Sequence, residues 1–273
     1  MIRIHLLLLS ILLSFSALAK QAEISGECQN CKGMAIKLMA YDDLISMREV
    51  ILEQNTVEQN GLFSFNFDIQ EVKYAWVQVE EFRYDFYLSP GLDLKIAFDK
   101  TLLEKELTLP FRGTINLIPE FKESSGAVLN KEIIEFNERL DKFMEAQYEL
   151  LMVRKAAPVL GKKVERFKHD IDSIYSDVKG FFADYIEYSI ANVELVNSRK
   201  PEYLFKDYLD GRKMLYGNLE FMRFFEQFYS KSLSKVATGD RKNEFRKAFK
   251  LPEPDGAFQT LLSDEPYMEN EVH

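Results

Sequence analysis

Cysteine and histidine are scarce in this chain, and most metal and nucleophile chemistry is scarce with them. The 273 residues contain two cysteines and three histidines. A structural zinc site wants four ligands, and past the first twenty residues the sequence offers only Cys28, Cys31, His169 and His273. No D-x-[DN]-x-[DN]-G calcium loop is present, and Asp42, Asp43, Asp68, Asp85 and Asp93 are scattered as turn and surface residues. No metal and no cofactor is expected. Positive charge is also short, with 35 basic against 44 acidic side chains and a formal charge of -9. That balance opposes a phosphate backbone or an anionic lipid surface, so nucleic acid is not an expected partner. Long apolar runs are missing after the start, where nothing approaches the roughly 20 residues of a spanning helix. No membrane span is expected in the mature chain.

The one apolar run lies at the beginning. Arg3 and His5 precede apolar residues 6–13, and Ala17-Leu18-Ala19 supplies the small residues that signal peptidase needs. A run this short cannot cross about 30 Å of hydrocarbon as a helix. The order predicts a signal peptide over 1–19, a mature chain from Lys20, and an extracytoplasmic, periplasmic location. No cysteine stands at the cleavage point to carry a lipid.

What the chain has in plenty is alternation. Within residues 61–98, Leu62, Ser64, Asn66 and Asp68 interleave with Phe63, Phe65, Phe67 and Ile69, the pattern of a strand with one buried face. Tyr74, Trp76 and Phe82 mark further β-prone runs. After the turn residues Ser89-Pro90-Gly91, Leu92, Leu94, Ile96 and Phe98 resume the alternation. Trp76, the only tryptophan, falls within an alternating strand and reads as core. Val50, Leu52, Gln54 and Thr56 lead through Asn60-Gly61 into the phenylalanine strand as a hairpin. Short antiparallel strands at this spacing predict a small β-sandwich over 20–110.

Cys28 and Cys31 are expected to be disulfide-bonded in an oxidising compartment. Strand pattern stands on both sides, with 23–26 before and Ile36, Leu38 and Ala40 after. The pair therefore reads as a staple across a two-residue hairpin, whose closing positions sit about 5.5 Å apart at Cα. A thioredoxin-type pair would instead open a helix after a strand, where the dipole lowers the thiol pKa.

The period then changes. After a turn-rich linker at 111–126, Leu129, Ile133, Phe136, Leu140, Phe143 and Leu150 recur at helical steps, and Pro158 and Gly161 are expected to stop that helix. A second stripe runs from Val164 to about Val196, with Gly180 as a kink. A third helix follows Pro201, and a fourth runs from about Asn218 to Leu233. Residues 127–250 are thus an all-α domain, and the fold class is α+β. Phe221, Phe224, Phe225, Phe228 and Tyr229 cover more than one face of the fourth helix. They are either buried on several sides or a contact surface, and burial is favoured because such patches are uncommon on soluble monomers. Asp184, Glu187 and Glu194 read as a solvated acidic face. The Pro-containing, acidic tail at 251–273 ends without a helix stop, so the chain is expected to be cut short there.

Several stretches together resemble a known family. They are Ile24-Ser25-Gly26 with Cys28 and Cys31, Asn60-Gly61-Leu62-Phe63-Ser64-Phe65, Phe86-Tyr87-Leu88-Ser89-Pro90-Gly91, and residues 203–216 and 218–225. The chain resembles the N-terminal portion of exported thioredoxin-like (TlpA-type, redoxin-domain) proteins of Bacteroidetes. The resemblance implies a leader, a β-sandwich, a helical region and a downstream thioredoxin-like module as partner. That module's catalytic CxxC has no counterpart here, and Cys28 and Cys31 do not take its place. The expected function is a non-catalytic binding or scaffolding protein, the accessory part of a thioredoxin-like system, with no catalytic residue assigned. The alternative is a thiol-disulfide oxidoreductase acting through Cys28 and Cys31.

Overall fold

Stretches of period two are strands, and stretches of period 3.6 are helices. The computed structural model describes residues 20–98, 114–153, 156–197, 199–239, 241–248 and 250. These divide into two units between Ile134 and Glu135. The fold class is α+β, with the strands in the N-terminal half and the helices in the C-terminal half. The expected leader and tail lie outside the described residues.

In the first unit the strands are β1 Lys20–Glu27, β2 Ala35–Tyr41, β3 Glu49–Thr56, β4 Leu62–Ile69, β5 Lys73–Val79, β6 Phe82–Leu88, β7 Asp93–Ala97, β8 Ile115–Leu117 and β9 Glu120–Phe121. They form two sheets, in the orders β4-β1-β7-β9 and β3-β2-β5-β6-β8. Phe63, Phe65, Leu94 and Ile96 of one sheet share a buried cluster with Ile36, Leu38, Val77 and Val79 of the other. Each such side chain stabilises by roughly 1.5–3 kcal/mol relative to leaving it in water. The sandwich is antiparallel at most ladders, but β7 runs parallel to β1 and β8 parallel to β6.

Both expected hairpins are corrected. Residues 29–31 make one turn of 3-10 helix that carries the chain from β1 in one sheet to β2 in the other. Buried Ile24 and Ile36 must fill one core from opposite sides, and a hairpin would leave them in a single sheet. The turn at Asn60-Gly61 likewise joins different sheets, since β3 pairs with β2 while β4 pairs with β1. The described part of the expected linker, 114–126, is bonded to both sheets through β8 and β9.

The helices are α1 Ala127–Ala146, α2 Tyr148–Leu151, α3 Ala157–Ile174, α4 Phe181–Val196, α5 Pro201–Tyr208, α6 Leu219–Thr238 and α7 Lys242–Ala248. The long second stripe is two helices: Gly180 has φ +71° and caps α4, so it breaks the run where a kink was expected. Pro158 lies in the first turn of α3, where its missing N–H is harmless, and so begins a helix instead of ending one. In the second unit α4 is the central element, packed by α3, α5 and α6. Its Tyr185, Tyr188, Ala191 and Leu195 are all buried.

Candidate functional site

The sequence singled out two places, and both are interior. The sulfurs of Cys28 and Cys31 are bonded, with the Cα atoms 5.3 Å apart. The residues are 1% and 2% exposed. Cys28 N–H donates to Gly61 O at 2.8 Å, so the bond is locked under the turn that precedes β4. An attacking thiolate needs access to a sulfur, and this geometry withholds it. On α6, Phe221, Phe224, Phe228 and Tyr229 are buried, while Phe225 is half-buried. Phe221 meets Tyr188 edge-on at 4.8 Å and Phe224 meets Tyr208 at 5.5 Å. The block lies in the core of the helical unit, where α4 and α5 present aromatic faces to it.

The more informative positions are the sheet edges, whose unpaired N–H and C=O groups must be satisfied. Two edges are sealed by side chains. Beyond β8, the edge of β6 is closed at Tyr87, whose N–H donates to Asn130 Oδ1 at 2.7 Å and whose C=O accepts from Asn130 Nδ2 at 2.9 Å. The edge of β4 is closed by β3 side chains: Asn55 Nδ2 donates to Ser64 O at 2.6 Å, and Asn66 N–H donates to Glu53 Oε2 at 2.8 Å. In each case an amide or carboxylate does the work of a neighbouring strand.

Among the described residues, the outer edge of β3 has no such seal in its first half. Asp42 N–H donates to Arg48 O, which fixes the phase of the β2–β3 ladder. Val50 bonds toward Ala40, and Glu49 and Ile51 turn their N–H and C=O groups away from β2. Those outward groups have no hydrogen-bond partner among the described residues. The register shifts opposite Leu38 and Met39, as a bulge does, and leaves Leu52 exposed. Ile51 is 53% exposed, and in the preceding loop Ile45 is 72% exposed with Met47 beside it. That loop is rigidly built. Asp43 Oδ1 accepts from Ile45 N–H at 2.9 Å and Ser46 N–H at 2.6 Å, Asp42 pairs with Arg48, and Met47 is held at φ +53°. The Ser46 hydrogen bonds, above all, hold the Asp43 carboxyl below its ordinary value.

Beside this edge, the outer face of the same sheet carries an aromatic platform that the chain fills itself. Arg83 lies 3.6 Å over the Trp76 ring and pairs with Asp85 at 2.5 Å and Glu49 at 3.5 Å. Tyr41 packs on Trp76 at 4.9 Å. Trp76 is buried as expected, although on the face opposite the sandwich core. Burial lifts the Asp85 carboxyl above its ordinary value, against the pull of Arg83.

The helical unit holds a cleft of about 380 Å³ between α3, α4 and α5. Its floor is Ile171, Ile186 and Ile190, and its rim carries Lys168, Asp172 and Glu187. Behind it Glu194 is 2% exposed, which corrects the solvated acidic face. Arg199 donates to Glu194 Oε2 at 2.5 Å and to Asp207 at 2.6 Å. Tyr208 OH donates to the same Glu194 oxygen at 3.1 Å and accepts from Lys168 Nζ at 3.2 Å. Burial first, and the Glu194 charge second, push the Tyr208 hydroxyl up, so it remains a donor. Sequence reasoning missed this network. Its one signal was a carboxylate inside the apolar run Val193-Glu194-Leu195-Val196, where a charge needs a partner.

Among the described residues no helix is long and apolar enough to cross a membrane. No protein-family model, no curated protein and no solved structure matches this chain.

Proposed function

We propose that the chain is an extracytoplasmic binding or scaffolding protein that performs no thiol chemistry and engages a protein partner by accepting an extended segment along β3. The observation that carries this reading is the open edge at Glu49 and Ile51. It stands in a fold whose β4 and β6 edges are closed by Glu53, Asn55 and Asn130. Main-chain groups there offer affinity, and the exposed Ile45, Met47, Ile51 and Leu52 offer side-chain recognition. The burial of both cysteines favours a staple over an exchanging pair. The resemblance of the sequence supplies the kind of partner, a thioredoxin-like module, and its N-terminal order supplies the location.

The test places a photo-crosslinking residue at Ile51 and, as control, at Ile174, which is equally exposed on α3. Expressed in the cell envelope, the Ile51 position should give one discrete adduct with a thioredoxin-like protein, and the Ile174 position none. Amide exchange at Glu49 and Ile51 should slow in the purified adduct. Adducts of equal yield at both positions, or insulin reduction that disappears in a Cys28→Ser, Cys31→Ser variant, overturn the proposal. Intact mass of the exported chain checks the location, which fails if Met1 is retained.

A further inference from the structure

We infer that the cleft of the helical unit binds a primary ammonium group carried on an apolar stem, a use that goes beyond the partner surface on β3. The cleft volume of about 380 Å³ suits a small ligand, and buried Ile171, Ile186 and Ile190 give it an apolar floor. Charge accounting at the rim decides the sign of the ligand. Lys168 stands one turn before Asp172 on α3, the spacing at which the two would ordinarily pair. It is turned inward instead, 3.2 Å from Tyr208 OH and 4.0 Å from Glu194 Oε1. Glu194 and Asp207 are matched by Arg199, and Glu187 is held by Arg212 at 2.9 Å. Counting these groups, three cations (Lys168, Arg199, Arg212) face four carboxylates (Asp172, Glu187, Glu194, Asp207). The carboxylate left over is Asp172, exposed at the mouth and without an ion-pair partner among the described residues.

An ammonium group seated there meets Asp172 directly, with the Ser176 hydroxyl and the Glu187 carboxylate within the same rim, while its methylene stem covers the isoleucines. An anion meets the opposite situation, because Lys168 is already engaged and Asp172 repels it. The chemistry is shared by a free aliphatic amine and by a lysine side chain, and the two sources are separated by experiment.

The full chain is titrated with hexylammonium, hexan-1-ol and hexanoate, and with a short peptide of blocked termini bearing one lysine, using calorimetry and NMR shifts of the Ile171, Ile186 and Ile190 methyls. Hexylammonium should bind one per chain and about tenfold tighter than either control, a difference of about 1.4 kcal/mol. Asp172→Asn, an exposed substitution that leaves the fold intact, should abolish that preference and leave hexan-1-ol binding unchanged. A lysyl peptide that shifts the same methyls supports a protein side chain as the source. Hexylammonium binding without the peptide supports a free amine. Hexanoate binding as tightly as hexylammonium, a preference that survives in Asp172→Asn, or no shift at the isoleucine methyls with any probe overturns the inference.

Discussion

Gly126 sits where the chain turns from the sandwich into α1, and there is no room for a side chain. A Cβ placed on it would lie 2.9 Å from Asp93 O and closer still to Leu92, while its own N–H donates to Asp93 O at 2.8 Å. Gly126→Ala is therefore expected to destabilise the first unit by about 1–3 kcal/mol, the range for overpacking, read as a lowered urea midpoint with unchanged slope. Glu220 gives a pH dependence. Burial, against the pull of Arg223 and the Asn192 amide, raises its carboxyl above the ordinary 4.5. A carboxyl raised in this way binds more protons folded than unfolded, so its contribution is complete below 4.5 and is lost as pH climbs through the folded value. As pH rises from 4.5 through that folded value, wild type should lose stability relative to Glu220→Gln. Parallel curves across that interval would show the carboxyl to be unshifted.

At the scale of elements, Asn130 is the first residue of α1 to test, because one side chain closes the edge of β6. Asn130→Ala removes the two hydrogen bonds that Asn130 makes to the N–H and C=O of Tyr87 in a buried place, and losing such a bond costs about 1–3 kcal/mol for each buried group. Asn130→Asp should recover only part of that loss, since a carboxylate accepts from the N–H but donates nothing to the C=O. Thermal melts of the three proteins give the ranking, and equal melting of Asn130→Asp and wild type would refute it. Strand and helix periods were legible in the sequence, as Phe63 and Phe65 against Ser64 and Asn66 show. Pairing was not. Asn60-Gly61 announces a turn by its backbone preferences, but which sheet β4 joins is settled by the distant residues of β1. The same holds for the candidate site. The Val50, Leu52 alternation marks a strand, yet its open edge exists only because no other element among the described residues covers Glu49 and Ile51. The charge network behind the cleft assembles Lys168, Glu194, Arg199 and Tyr208 from three helices and the loop after α4, at spacings that no periodicity links.

For the whole molecule, the division inside α1 makes a definite statement about fragments. Residues 20–134 contain both sheets, the β8 and β9 edges and the Asn130 clamp, and should fold with a cooperative melt. Residues 20–113 lack those edges and the clamp and should melt lower or fail to fold. Equal melts would mean that 114–134 adds nothing to the sandwich. The place of β1 bears on the order in which this fold can form. It is an inner strand, bonded to β4 on one side, with Lys20 opposite Ile69, and to β7 on the other, with Glu27 opposite Ala97. The first strand to be synthesised thus waits for more than forty further residues before either neighbour exists in full, and pairing at such separations is slow. β4 closes one side first, β7 then closes the other, and β9 adds last beside β7, so the sheet grows outward from β1. The Cys28–Cys31 bond joins residues three apart and can close while β1 still waits, setting the direction in which the chain leaves a strand not yet paired.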